Sequence, residues 1–191
     1  MPVSRLRVPV QLRWADMDAY GHVNNVQMLQ LLEEARIEAF WSHPDPGEGA
    51  RATAVLDAGP GAGTVTLVAR QEIEYLRPLA YRRTPVDVEL WIGHLGGASI
   101  DVCYEVLDAA PGGGAPGGPA PDGAAPDGAA PDRAAPHGAA SMPYARACTT
   151  LVLVDTATGS PRRITPAERA VWSPYLGEMI ALRRRRPSEA G

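Results

Sequence analysis

The apolar pattern of this chain changes its period early in the sequence, and that change constrains the fold more than any other feature. Apolar residues occupy alternate positions from Leu6 to Trp14, which predicts a strand with one buried face. Beyond Asn24 the apolar spacing is that of a helix, and Asn24 or Asn25 is suited to cap its start. The residues predicted to form the buried stripe of this helix are Met28, Leu31, Leu32, Ala35 and Ala39.

The turn between this strand and this helix carries the residues best suited to chemistry. Asp16 and Asp18 lie a few residues ahead of the helix start, and Gly21 and His22 follow them. The first N–H groups of a helix have no partners within it and can stabilise the oxyanion that forms when a carbonyl is attacked. A carboxylate beside such donors is suited to hydrolysing a thioester or an ester, as base or as nucleophile. Each residue taken alone is better explained by turn formation or helix capping, and only the whole constellation favours the chemical role.

The complete run is more specific than its parts. It reads Trp-x-Asp-x-Asp-x-x-Gly-His-Val-Asn-Asn from Trp14 to Asn25, and Glu-Glu-Ala-Arg follows at 33–36. This run resembles the hotdog-fold acyl-CoA thioesterases of the 4-hydroxybenzoyl-CoA thioesterase-like superfamily, and its His-Val-Asn-Asn part resembles acyl-ACP thioesterases. The segment Glu-Ile-Glu-Tyr-Leu-Arg-Pro-Leu, from Glu72 to Leu79, is similar to a second signature of the same family.

The resemblance implies an enzyme that hydrolyses an acyl-CoA to a free acid and CoA, with no metal and no other cofactor. It assigns the role of catalytic carboxylate to Asp18, and it assigns the oxyanion-holding N–H to Asn25 or to a residue between Gly21 and Asn24. His22 is expected to orient a water or the thioester. Relatives usually carry Tyr three residues after the Asn pair, where this chain has Met28, so one wall of the pocket differs.

The resemblance also indicates where CoA would be held. In related thioesterases the turn that here runs from His94 to Ser99 carries basic residues and a Ser that hold the CoA phosphates. Ser99 is retained here, but Gly96 and Gly97 replace the basic residues, so the phosphate contact would depend on backbone N–H groups. Arg82 and Arg83 are the nearest alternative phosphate partners, although a solvated loop position is the more ordinary explanation for each.

Further strands are predicted along the rest of the chain, at 51–57, 64–76, 86–92, 100–107 and 144–154, with a short helix capped by Thr165. In the second of these, alternation predicts an inward face composed of Val65, Leu67, Ala69, Ile73 and Tyr75. Gln71 interrupts that face and is either a pocket residue or is turned outward by a bulge. Counting back from the hairpin base predicts that Cys103 and Cys148 lie nearly opposite each other, as reduced thiols.

One long helix wrapped by a curved antiparallel sheet of about five strands is an α+β pattern, and it is the hotdog arrangement that the resemblance implies. The domain is predicted to span 1–175, with a basic tail at 176–191. An Ala/Gly/Pro-rich insertion at 108–142 has almost nothing apolar to bury and is expected to be disordered. In the family the sheet edges pair and the active site lies between subunits, so a homodimer or homotetramer is expected.

Composition removes several other classes of function. The net charge of −4 argues against a general nucleic-acid binder. No segment is long and apolar enough to span a membrane, and no secretory signal is evident, so a cytoplasmic protein is expected. The two cysteines show neither a CxxC pattern nor a spacing suited to a metal. Two alternatives stay open beside the acyl-CoA thioesterase: an acyl-CoA-binding hotdog protein without turnover, and an acyl-ACP thioesterase.

Overall fold

The computed structural model describes residues 4–42, 51–57, 59–109 and 142–183. Almost all of the insertion predicted at 108–142, and the tail beyond residue 183, lie outside these described residues. The helices and strands are β1 Leu6–Val10, α1 Asn25–Phe40, β2 Thr64–Tyr75, β3 Val86–Leu95, β4 Ser99–Asp108, β5 Ala145–Asp155 and α2 Pro166–Trp172. Short 3-10 turns lie at Trp14–Asp16 and Ser173–Tyr175.

The five strands form one curved antiparallel sheet in the order β1-β3-β4-β5-β2, and α1 packs on one of its faces. Residues on that face of the sheet and on the facing side of α1 form the core, with solvent exposures of 0–1% for Leu31, Leu32, Ala35, Val88, Leu90, Ile92 and Leu151. The predicted α+β hotdog arrangement is therefore confirmed. Within the described ranges, no helix is both long and apolar enough to cross a membrane.

The helix prediction is confirmed in its start and in its buried stripe. Asn24 is the N-cap, and its side-chain oxygen accepts from the N–H of Val26 at 2.8 Å. All five residues predicted to face the core are buried. Arg36 is buried with them at 4% exposure, which the apolar pattern does not predict.

The first strand is shorter than predicted, and Trp14, the last apolar residue of the predicted strand, is exposed and does not face the core. β1 ends at Val10, and the 3-10 turn that begins at Trp14 changes the period of the chain. As a result Trp14 is 73% exposed and lies edge-on against Tyr81 at 5.6 Å, while Asp16 turns inward to 1% exposure. The predicted inward position of Trp14 is wrong because the strand period does not continue through the turn.

The predicted inward face of β2 is wrong in its first half. A bulge between Val68 and Arg70 shifts the register, so that Val65 and Leu67 fall on the face away from α1, where they are 43% and 56% exposed. Beyond the bulge, Gln71 is directly opposite Thr149 of β5, which belongs to the helix side of the sheet. The bulge therefore places Val65 and Leu67, at the start of the strand, on the outer face of the sheet, and it leaves Gln71 on the inner face.

Two smaller predictions need correction. Residues 51–57 form a turn with one isolated bridge, between Leu56 and Trp41, and are not a strand. Side chains hold this segment in place, since the Thr53 hydroxyl donates to the carbonyl of Ala39 at 2.6 Å. The loop predicted from His94 is also shorter than expected, because β3 continues through Leu95.

The cysteine and second-helix predictions are confirmed. Cys103 and Cys148 are directly opposite each other on β4 and β5, and both are buried free thiols. Thr165 caps α2 and forms a capping box with Glu168. On the outer face of the sheet, residues 176–183 cross over the cysteine pair, and Gly93 leaves space for Met179 in that segment.

Candidate functional site

A cavity of about 420 Å³ lies where the start of α1 meets the end of β2. Four residues singled out from the sequence line it together: Asp18, Asn24, Asn25 and Met28. The opposite wall is the segment 75–79, which includes most of the second signature. The two signatures are therefore the two walls of one cavity.

Asp18 is held by the turn through only one of its carboxylate oxygens. Its Oδ1 accepts from the N–H of Tyr20 at 2.8 Å and from the N–H of His22 at 3.1 Å. Its main chain pairs with His22 as well, since the Asp18 N–H donates to the His22 carbonyl at 2.8 Å. Oδ2 has no hydrogen-bond partner among the described residues. The turn thus orients the carboxylate and leaves one oxygen available in the cavity.

The backbone N–H groups around this turn differ in whether they are already used. Those of residues 21–24 all donate within the protein, to the Asp18 carbonyl, the Asp18 carboxylate, the Leu79 carbonyl and the Asp16 carbonyl. The Asn25 N–H has no acceptor in the described part of the chain, and the Asn25 carbonyl accepts from the Tyr75 hydroxyl at 2.9 Å. Of the candidate oxyanion donors, the described structure leaves Asn25 free to bind a ligand.

Gly21 and His22 stabilise the turn through hydrogen bonds of their main-chain groups. Gly21 has a φ of +79°, a left-handed conformation that favours glycine, and its carbonyl accepts from the Tyr81 N–H at 3.2 Å. The His22 side chain is not among those that line the cavity. The structure therefore brings Asp18, Asn24 and Asn25 together but does not bring the imidazole of His22 into the same cavity.

Asp16 is distinguished from Asp18 by its surroundings. It is 1% exposed and does not line the cavity. Its carboxylate accepts from the Arg13 backbone N–H at 2.7 Å and from the Arg13 Nε at 3.1 Å, and its carbonyl accepts from the Asn24 N–H. Both sides of the residue are occupied in holding the turn and the helix cap, so Asp16 is structural.

The Gly97–Ser99 turn lies at the other end of the sheet. The cavity residue Arg77 donates to Asp108 at 2.8 Å, which places the cavity at the Asp108 end of β4. The nine residue steps from Ser99 to Asp108 span about 30 Å. Within one subunit the structure does not bring Ser99 and Gly97 to Asp18. At this turn the Gly97 carbonyl accepts from Ile164, and Arg169 covers the neighbouring carbonyl oxygens.

The two arginines named from the sequence, Arg82 and Arg83, differ in their contacts. A third arginine, Arg77, lines the cavity and was not named from the sequence. Arg82 donates to Asp108 at 2.7 Å and to the Tyr144 hydroxyl at 3.1 Å, so it is not a simple solvated loop charge. Arg83 is exposed. Arg77 lines the cavity and lies over the Tyr144 ring at 3.5 Å. Its place in the Leu-Arg-Pro run that ends β2 was the available sequence signal.

Asp108, beside this cavity, gives the protein a pH-dependent stability. Burial by itself raises the pKa of this carboxyl, but hydrogen bonds from Tyr144, Arg77 and Arg82 outweigh burial and lower it from 3.8 to about 2. A lowered folded-state pKa adds stability above pH 3.8, and that contribution is lost as the pH falls toward about 2.

We expect the melting temperature of the unmodified protein to fall more steeply between pH 3.8 and about pH 2 than the melting temperature of Asp108→Asn. Exposed Asp57 offers a control, and equal slopes in Asp108→Asn and Asp57→Asn would contradict the assignment.

The fold is similar to those of several solved structures. The fold matches a predicted thioesterase from Bacillus stearothermophilus with a TM-score of 0.59, at 16% identity over 92% of this chain and 99% of that one. It matches a thioesterase from Thermus thermophilus, complexed with coenzyme A and Zn, with a TM-score of 0.52, at 24% identity over 87% and 90% of the two chains. A DHNA-CoA thioesterase from Staphylococcus aureus gives 0.56, at 14% identity over 88% and 89%.

These structural similarities show the fold, and the sequence comparison is more specific. No curated protein matches the sequence. Among the described residues, no group of three or more His, Cys, Asp or Glu side chains could hold a metal ion. The family model of the thioesterase-like superfamily matches residues 12–178, which include both signatures, both cavity walls and every strand of the sheet except β1. The chain therefore belongs to the thioesterase-like superfamily.

Proposed function

We propose that this protein hydrolyses acyl-CoA thioesters to a free acid and CoA. One observation carries the proposal: the unpaired Oδ2 of Asp18 and the unpaired N–H of Asn25, as far as the described residues extend, belong to residues that line the same cavity. In the hydrolysis of a carbonyl compound, a free carboxylate oxygen can act as base or nucleophile, and a free helix-start donor can stabilise the oxyanion.

The reaction follows from these two groups. The thioester carbonyl oxygen accepts from the Asn25 N–H, which stabilises the negative charge that develops there. Asp18 Oδ2 removes a proton from a water that attacks the carbonyl carbon, or attacks that carbon itself to give an anhydride that water then opens. The carbon–sulfur bond breaks, its electron pair leaves with sulfur, and the sulfur takes up a proton as the CoA thiol.

CoA is the proposed carrier because cationic groups flank the cavity. Arg77 lines it, Arg82 donates to the neighbouring Tyr144 hydroxyl, and both arginines share the single carboxylate of Asp108. The excess positive charge suits a phosphate or pyrophosphate group. The structural relative from Thermus thermophilus is complexed with coenzyme A, which supports the same class of ligand. A cytosolic location is part of the proposal, since both cysteines are free.

We propose a homodimer because β2 is an edge strand of the sheet that the described residues form. Val65, Leu67 and Val68 are 43–56% exposed along this edge strand. Antiparallel pairing of two β2 strands would set the Tyr75 end of one sheet beside the Thr64 end of the other, which is the end that carries Ser99. Such pairing would bring the Gly97–Ser99 turn of a second copy to the cavity.

We expect sedimentation equilibrium to show a dimer or a larger oligomer for the unmodified protein and a smaller species for Leu67→Asp. A monomeric unmodified protein would contradict this arrangement.

The test of the proposed function is release of free thiol from a panel of acyl-CoAs and acyl-ACPs. Turnover on acyl-CoA supports the proposal, and faster turnover on acyl-ACP would transfer the assignment to that carrier. The alternative of a binding protein is favoured by Met28 in the cavity wall and by the absence of charge at Gly96 and Gly97. Measurable acyl-CoA affinity without thiol release from any substrate would establish that alternative.

A further inference from the structure

Asn24 has one polar group that the described structure leaves unused. Its backbone N–H donates to the Asp16 carbonyl at 2.8 Å, and its carbonyl accepts from the Met28 N–H at 2.9 Å. Its side-chain Oδ1 accepts from the Val26 N–H at 2.8 Å. The remaining polar atom, Nδ2, has no acceptor among the described residues and is open to solvent. Asn24 therefore keeps one free donor group, and that group is on its side chain.

The capping hydrogen bond fixes which way the Asn24 amide faces. In a side-chain amide only the oxygen accepts a hydrogen bond, so Oδ1 is the atom that faces the Val26 N–H and Nδ2 is turned away from it. Asn24 lines the same cavity as Asp18 and Asn25. Because Oδ1 and both main-chain groups are already paired, Nδ2 is the group through which Asn24 can bind a ligand in that cavity.

This amide lies beside the free N–H of Asn25. Asn24 is the N-cap of α1 and Asn25 is its first residue, and the first N–H groups of a helix point out of its N-terminal end. The cap side chain folds over the same end, since Oδ1 bonds to the second residue of the helix. A ligand oxygen that accepts from the Asn25 N–H therefore lies next to the Asn24 amide.

Contacts from both walls of the cavity hold these two donors in place. The Tyr75 hydroxyl of β2 donates to the Asn25 carbonyl at 2.9 Å. The Asn24 N–H is bonded to Asp16, which is only 1% exposed. The positions of the donors are thus set before a ligand arrives. Donors fixed in this way stabilise a developing charge without reorganising during the reaction.

We propose that the side-chain amide of Asn24 is a second donor of the oxyanion hole, so that the thioester oxygen accepts from Asn24 Nδ2 and from the Asn25 N–H together. This inference rests on the proposed function. The oxygen gains negative charge when the carbonyl is attacked, and both hydrogen bonds strengthen at that moment. Asn24 then has two separate roles: Oδ1 caps the helix, and Nδ2 is catalytic. Its main-chain N–H, a donor candidate from the sequence, is taken up by Asp16.

The test separates these two roles by substitution. Ser and Asp are good N-cap residues but lack the amide donor, whereas Ala lacks both. We expect kcat for octanoyl-CoA hydrolysis to fall by about 10²–10³-fold in Asn24→Ser, Asn24→Asp and Asn24→Ala, the usual loss when one oxyanion donor is removed. KM should change little, because the donor acts mainly in the transition state. The melting temperature should fall clearly in Asn24→Ala alone.

Gln27→Ala is the matched control. Gln27 also carries a side-chain amide and lies in the first turns of α1, but it does not line the cavity. Its kcat should equal that of the unmodified protein. Loss of an amide near the helix start is thereby distinguished from loss of the amide that faces the substrate.

A second measurement does not depend on turnover. Octanoyl-CoA with an isotope label on its thioester carbonyl is bound to Asp18→Asn, and the carbonyl stretch is recorded by infrared spectroscopy. Hydrogen bonds to the oxygen weaken the C=O bond and lower its stretching frequency. Adding Asn24→Ser should therefore raise the frequency, and adding Gln27→Ala should leave it unchanged.

The outcomes distinguish this inference from the proposed function. Unchanged kcat in Asn24→Ser, or a loss confined to Asn24→Ala that follows its melting temperature, would overturn the inference and leave Asn24 a helix cap, while turnover by the unmodified protein would still support the proposed function. If the unmodified protein hydrolyses no acyl-CoA, the proposed function fails and the carbonyl stretch decides. A higher frequency in Asn24→Ser then supports Asn24 as a donor to the bound carbonyl, and an unchanged frequency overturns that role as well.

Discussion

Replacing Asp18 by Asn is expected to lower kcat/KM for acyl-CoA hydrolysis by about 10²–10⁴-fold, the range that general-base catalysis supplies. The fold should persist, because the amide oxygen can still accept from the N–H groups of Tyr20 and His22, as Asp18 Oδ1 does. The amide is a far poorer base and nucleophile than the free Oδ2 it replaces. Thiol release measures the loss, and the melting temperature with acyl-CoA affinity shows that folding and binding are retained.

Asp16→Asn provides the matched control for this result. Asp16 is buried against Arg13 and is absent from the cavity, so the variant should melt at a lower temperature while each folded molecule keeps its turnover. His22→Ala should lose less activity than Asp18→Asn, because the imidazole lies outside the cavity lining. Full activity in Asp18→Asn, or equal losses at Asp16 and Asp18, would show that the carboxylate has been assigned wrongly.

Trp172→Ala is expected to cost about 3–5 kcal/mol of unfolding free energy, the usual loss for a fully buried large aromatic. Trp172 is 0% exposed, lies edge-on against Phe40 at 6.1 Å, and donates from Nε1 to the Thr53 carbonyl at 3.1 Å. It joins α2 to the end of α1 and to the turn at 51–57. Truncation would therefore leave a cavity and remove one of the two hydrogen bonds to the Thr53 carbonyl, which also accepts from the Val55 N–H at 3.0 Å.

Urea denaturation of Trp172→Ala and Trp14→Ala measures this difference with the same substitution at two sites. Trp14 is 73% exposed and has an edge contact with Tyr81, so its removal should cost less than about 1 kcal/mol. Similar midpoints for the two variants would mean that α2 contributes little to the stability of the core.

Features that depend on a few neighbouring residues were predictable from the sequence. The Asn24 cap, the Thr165 cap and the buried stripe of α1 follow from side chains that act within one or two helical turns. The opposition of Cys103 and Cys148 followed from counting along one hairpin, because antiparallel pairing conserves the sum of residue numbers. The carboxylate and the helix start were also recognisable, since the signature places them close together in sequence.

Other features depend on partners that are distant in the chain. The inner face of β2 was mispredicted because the bulge beside Ala69 exists only in its pairing with β5. The burial of Arg36 depends on Tyr104, sixty-eight positions away. The sequence indicated several candidate oxyanion donors and could not choose among them. In the described structure the Asn25 N–H is free, whereas the N–H groups of Val23 and Asn24 donate to the Leu79 and Asp16 carbonyls.

The difference between the features that were predictable from the sequence and those that were not has a simple physical origin. Periodicity and capping are properties of a local backbone conformation, so the sequence by itself determined most of the elements, their order and the candidate carboxylate. Whether a given oxygen or N–H group is available for chemistry depends on which groups from other elements have already paired with it. Within the described residues, the groups that are left without a partner include Oδ2 of Asp18, the N–H of Asn25 and Nε of Arg36. Only the tertiary structure decided which groups these are.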